Sequence, residues 1–277
     1  THEKLYSYVN QASALLHLNY CSRGIYTGNQ QDLYEYYYPL ADIITFTQNL
    51  ALAYPHELQQ PRLADSGKLI RKGLANDPSK IHLAFGFGVY WWAYFDGVHY
   101  YSTDPYDRIP PFNLQRFQVW DQIINGASGV WFYTASSKDL AEDSVFAGHF
   151  EQISYIAKEL NSLYDVLIEE EYYDGWEVSD ARIEGMMKKH DGKIYLFAAN
   201  THHEDLENIT ISIANKLISV KALNDIEGND YHNPLNRTLA INGDGMSFND
   251  SFIGENHTPG YGVHIYEIEY SKEIGRA

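Results

Sequence analysis

Asp96 is the acid whose surroundings suit chemistry best. It follows Trp91-Trp92, precedes Gly97, and opens a long aromatic segment, 93–113, with His99, Tyr100, Tyr101, Asp104, Tyr106 and Asp107. An ionisable carboxyl over flat aromatic faces suits acid–base work on a ring that stacks. Asp-Gly is also a strong turn dipeptide, so a turn role for Asp96 stands beside the catalytic one. Trp91 and Trp92 are adjacent, so one strand would send them to opposite faces, and at least one belongs to the core. Trp131 and Tyr133 share a face and are the other platform candidates, with Tyr100 from the loop. The further acids near expected strand ends are Glu57, Asp104 and Asp107, while Glu35, among tyrosines on an expected helix, reads as solvated.

Those residues need a frame. Ile81 to Trp92 (IHLAFGFGVYWW) reads as a strand buried on both faces. The helical spacing of 114–125 predicts a helix, stopped by Gly126-Ala127-Ser128-Gly129, and 130–133 reads as a second strand. Strand, loop, helix, glycine turn and strand make a βαβ unit, whose post-strand loop collects binding groups. The 93–113 loop far exceeds the usual ~2–6 residues of such a connection.

Earlier in the chain, Leu5, Val9, Ala12, Leu15, Leu16 and Leu18 predict an amphipathic helix over 3–20. Short strands are expected near 24–27 and 42–47. A helix is expected before Pro39, another over 66–75 ended by Asn76-Asp77-Pro78, and a long one over 139–169. Beyond Glu169-Glu170-Glu171 the pattern changes to short alternating strands separated by turns such as Asp191-Gly192 and Asn242-Gly243. About eight strands in this stretch match an antiparallel sandwich. The expected domains are 1–171 and 172–277.

Composition sets outer bounds. The 277 residues are 44% hydrophobic and 21% charged, which suffices for a sizeable core. A net charge of −17 argues against a nucleic-acid partner, which requires a basic footprint. The 24 Tyr, 5 Trp and 12 Phe lean toward stacking on sugar rings, as well as toward a tyrosine-rich core. Cys21 is the sole cysteine, so no intrachain disulfide and no cysteine metal set can form. His202-His203-Glu204 reads as a solvated loop, and the expectation is no metal and no cofactor. No phosphate-cradling glycine loop, G-x-S-x-G elbow or dinucleotide fingerprint is present, and no apolar run reaches membrane-spanning length. Sequons occur at Asn208, Asn236, Asn249 and Asn256, plausible acceptors if the source glycosylates. The first residue is Thr1, from which a processed chain or a fragment is expected.

Several of these features occur together in a known family. Asp42-Ile43-Ile44 leading to Tyr54-Pro55, and Arg116-Phe117-Gln118 through Asn125-Gly126-Ala127-Ser128-Gly129-Val130-Trp131-Phe132-Tyr133, resemble the later β/α units of a TIM-barrel glycoside hydrolase. The run Asp191-Gly192-Lys193-Ile194-Tyr195-Leu196-Phe197-Ala198-Ala199-Asn200, with Phe252 and the ending Tyr261-Gly262-Val263-His264-Ile265-Tyr266, resembles the β-sandwich that follows such barrels. The resemblance implies a partial (β/α)8 barrel joined to an antiparallel β-sandwich, carbohydrate as partner, and an extracellular or cell-surface address. It also implies hydrolysis by two carboxyl groups across the scissile bond. A barrel has eight strands, and only four are expected before residue 172. The family's mid-barrel acid is therefore expected outside this chain, and the strand from Ile81 carries no carboxylate. The barrel would be completed by a missing N-terminal half, another chain or a second copy. The alternative is a non-catalytic scaffold that binds glycans or builds an assembly.

Overall fold

A computed structural model describes residues 17–21, 41–47, 64–86, 112–132, 144–172, 175–225, 234–254 and 260–271. The chain forms two compact units, Thr1–Pro110 with Gln118–Phe146, and Pro111–Phe117 with Ala147–Ala277.

The first unit is built on a parallel sheet. Its strands are β1 (His17–Cys21), β2 (Ile43–Thr47), β3 (Ile81–Gly86) and β4 (Gly129–Phe132), hydrogen-bonded in that order. All three pairings are parallel, with Ile43 opposite Ile81 and Leu83 opposite Gly129. Helix α1 (Asp65–Asn76) lies between β2 and β3 in sequence, and helix α2 (Phe112–Ile124) between β3 and β4. Parallel neighbours need such crossovers, as the strand–helix–strand pattern predicts. Neighbouring Ile44 and Thr45 are both fully buried, so both faces of β2 are covered.

The helix ends set the strand entries. The Asp77 carboxylate accepts hydrogen bonds from Ser79 N (3.1 Å) and Ser79 Oγ (2.6 Å), which turns the chain after α1. Ile81 N then donates to Asp42 O, placing β3 beside β2. Helix α2 closes with Gly126 N bonded to Ile123 O and Ala127 N to Gln122 O, while Gly126 sits at φ +105°. This is a Schellman end, whose left-handed position favours glycine. Ser128 N donates to His82 O at 2.8 Å, and β4 starts at the next residue.

Two expectations change. Strand β1 (His17–Cys21) stands where the end of a helix over 3–20 is expected, because pairing along β2 outweighs a local helical spacing. The long helix over 139–169 is two helices, α3 (Ser144–Ser162) and α4 (Tyr164–Leu167). They break at Leu163, whose φ of −107° and ψ of 9° leave the helical region. The strand expected near 24–27 lies outside the described residues.

The second unit contains an antiparallel sandwich. Its strands are β5 (Trp176–Val178), β6 (Ile183–His190), β7 (Lys193–Asn200), β8 (Leu206–Ile213), β9 (Lys216–Asp225), β10 (Leu235–Leu239), β11 (Ser247–Phe252) and β12 (Val263–Ser271). One sheet has the order β10-β9-β12-β7-β6, the other β11-β8-β5. Alternate residues of both fill the core, with Leu196, Ile211, Val220, Phe248, Phe252 and Tyr266 essentially without solvent contact. Asp191 (φ 48°) and Gly192 (φ 78°) make the tight turn between β6 and β7. The fold class is thus α/β plus all-β. The first turns of α2 belong to this unit: Arg116 grips Glu159 of α3 through two hydrogen bonds, 3.0 and 2.8 Å, and donates to Val263 O at 2.6 Å.

Candidate functional site

In a parallel β/α sheet, ligands gather beyond the C-terminal strand ends. Here the described strands end at Cys21, Thr47, Gly86 and Phe132. Gly86 pairs with Phe132 in register. A Cβ built on Gly86 would fall 2.2 Å from the Phe132 ring, so the glycine supplies the space that the ring occupies. Trp131, one residue earlier on β4, is half-buried at the same sheet end, and alternation sends it to the face opposite Phe132. Strands β2, β3 and β4 contain no Asp or Glu.

Of the residues singled out from sequence, Trp131 is therefore at the strand-end position expected of it. Asp96, Trp91, Trp92, Tyr100, Tyr133 and Asn256 lie outside the described residues, as do Glu35, Glu57, Asp104 and Asp107. Phe132 was overlooked; the signal available was the glycine opposite it. His82, also on β3, is fully buried, and burial pulls its pKa down to about 4. It stands four residues before the end of β3, ~13 Å along the strand, and is a neutral core side chain at neutral pH.

Three sequons are visible in the sandwich, and all three asparagines are exposed. Asn208 lies in β8 with φ 55°. The Asn236 amide oxygen accepts from Asn224 N at 3.2 Å, and that of Asn249 from Asn242 Nδ2 at 3.1 Å.

The sandwich holds two polar clusters. Asp250 of β11 is buried and meets Arg237 Nη2 (2.7 Å), His264 Nδ1 (2.8 Å) and Tyr266 Oη (2.8 Å). Burial pushes its carboxyl up, but the hydrogen bonds from His264, Arg237 and Tyr266 more than reverse this, holding it well below the usual carboxylate range. The second cluster is His202, His203 and Glu204, between β7 and β8. Their ligand atoms lie within 4.8 Å of one another, the one such grouping of three or more His, Cys, Asp or Glu among the described residues. No described helix is long and apolar enough to cross a membrane.

No family model and no curated protein matches the sequence. Solved structures that it matches include glycoside hydrolases. A noncanonic maltogenic α-amylase from Thermotoga neapolitana is 11% identical at a TM-score of 0.46, over 98% of this chain and 66% of its own. A family 30, subfamily 8 xylanase from Clostridium acetobutylicum is 11% identical at 0.46, over 97% and 61%. A family 30 endoxylanase from Clostridium papyrosolvens is 10% identical at 0.38, over 84% and 50%. The chain thus spans between half and two thirds of the length of these structures.

Proposed function

We propose that this is a carbohydrate-active, glycoside hydrolase-like protein, with residues 1–171 forming the later part of a (β/α) barrel and 172–277 its C-terminal β-sandwich. The observation that carries the reading is the order of architectures. A parallel sheet with sequential strands, presenting Trp131 and Phe132 at its C-terminal end, precedes an antiparallel sandwich. In this reading the glycan lies across the ends of β2, β3 and β4. Trp131, Tyr133, Tyr100 and one of the pair Trp91 and Trp92 provide stacking faces, and Asp96 is the acid nearest the substrate. The four parallel strands among the described residues do not by themselves close a barrel, and in this reading the barrel is completed by residues absent from this chain, another chain or a second copy. The second carboxyl comes with them. The exposed sequons at Asn208, Asn236 and Asn249 support an extracellular or cell-surface address, with glycans there and on Asn256 if the source glycosylates.

A second reading, glycan binding or assembly without catalysis, is favoured by the lack of any carboxylate within β2, β3 and β4. Affinity electrophoresis on xylan and soluble starch, run beside a reducing-sugar assay, tests both. Retardation is expected on at least one polysaccharide, weakened about tenfold by Trp131→Ala, since an aromatic platform contributes on the order of 1 kcal/mol or more. Turnover by the purified 277-residue chain would reject the half-barrel reading, and equal migration with and without both polysaccharides would reject the carbohydrate reading.

A further inference from the structure

We propose that His202, His203 and Glu204 form a binding site for a zinc-class divalent ion on the turn between β7 and β8. The inference is independent of the glycan reading, since every group involved lies in the second unit.

The geometry comes first. His202 Nδ1 is 3.9 Å from Glu204 Oε2, and His203 Nε2 is 3.9 Å from Glu204 Oε1. Three donors around a tetrahedral ion, with bonds of ~2.0–2.2 Å, stand ~3.4 Å apart. Small side-chain rotations of partly exposed groups cover the difference. Two imidazoles and one carboxylate suit zinc and its neighbours, whereas calcium and magnesium take oxygen sets. With each side chain at least about a third exposed, the rotations that bring the donors together also open the remaining coordination positions to water.

The turn is held before any ion arrives. Asn200 spans it, accepting from His202 N at 3.0 Å and donating to Glu204 O at 2.7 Å. Tyr261 N donates to His202 O at 3.0 Å. Gly260 approaches so closely that a Cβ there would lie 2.2 Å from His202 O. Consecutive ligands on a fixed backbone lose less freedom on binding than ligands on a mobile loop.

Arg182 is the cation next to this cluster, and its charge is already matched. Asp180 takes its Nε and Nη2 at 3.0 and 2.7 Å, leaving Nη1 to orient Glu204 through Oε2 at 2.8 Å. A ligating carboxylate held by an outer partner is the usual arrangement. Glu204 retains a net negative charge for the ion.

The cluster also has an unmet need. Nδ1 of His202 and Nδ1 of His203 are both shut off from water with no hydrogen-bond partner among the described residues. Buried polar atoms of this kind call for a partner, and an ion at His202 Nδ1 provides one. The rings lie 4.3 Å apart, close enough for both to serve one ion.

The test is calorimetric titration of zinc chloride into the tag-free, chelator-stripped chain. One zinc per chain is expected, weakened at least tenfold in His202→Gln/His203→Gln and also in Glu204→Gln. His190→Gln, at a histidine beside Glu169 and Asp191, is expected to bind as the parent does. Far-UV circular dichroism checks that each variant keeps the sandwich; if the double variant unfolds, Glu204→Gln decides. No zinc binding by the parent, unchanged binding in the folded variants, or loss only in His190→Gln overturns the site. Calcium binding as tight as zinc would overturn the ligand class.

Discussion

Arg116 and Glu159, separated by 43 residues in sequence, meet as a buried bidentate ion pair with distances of 3.0 and 2.8 Å. Glu159 is 1% exposed and Arg116 7%. The remaining guanidinium donor reaches Val263 O, so one side chain ties α2, α3 and β12 together. Removing one partner strands a charge that water cannot reach. Glu159→Gln and Arg116→Met are each expected to lower unfolding stability by ~3–5 kcal/mol. The double replacement should cost less than the sum. Urea denaturation of the four proteins measures the coupling, and strict additivity would show that the pair acts through something else.

The Asp250 cluster makes stability depend on pH. The folded carboxyl titrates below its ordinary value of 3.8, so the unfolded chain binds the proton more readily. The contribution is complete above the ordinary carboxylate range and is lost as pH falls through 3.8 toward the folded value. Asp250→Asn should therefore be less stable than the parent at pH 7, by on the order of 3 kcal/mol, with the gap narrowing in acid. Denaturation midpoints at pH 7, 5 and 3 provide the check. A gap that widens toward pH 3 would contradict the assignment.

At the sheet end, Gly86→Ala places a methyl group inside the Phe132 ring position. A loss of ~1–3 kcal/mol is expected, as for other overpacked sites. Phe132→Ala in the same chain should recover part of it, because the obstruction is one ring. A double-mutant cycle by thermal denaturation resolves the two effects, and an unimproved double variant would place the strain elsewhere.

Asp96 carries the catalytic half of the proposal. In an enzyme whose barrel is complete, Asp96→Asn should reduce kcat by ~10²-fold or more if the carboxyl does acid–base work. An unchanged kcat assigns Asp96 to the turn that Asp96-Gly97 would make.

Local patterns made much of the fold readable. The Ile81 apolar run, the α2 spacing and the glycine at 126 located β3, α2 and β4, since cap and period are properties of neighbouring residues. The turn at Asp191-Gly192 was legible for the same reason. Strand β1 was not, because the spacing of Leu15, Leu16 and Leu18 continues a helical pattern and only β2 decides otherwise. The polar clusters were hidden for a related reason. Asp250, Arg237 and Tyr266 read singly as residues of ordinary strands, and their meeting depends on how two sheets stack. The adjacency of His202, His203 and Glu204 was plain, but the orientation imposed by Asn200 and Arg182 was not.

The closure of α2 leaves no slack before β4. The Schellman turn fixes Gly126, Ser128 is anchored on His82, and pairing with Leu83 starts at Gly129. One residue inserted here would rotate β4 by one step, exchanging the faces of Trp131 and Phe132 and removing the ring from Gly86. Length variation is thereby kept out of the departure side of the helix, which must keep count.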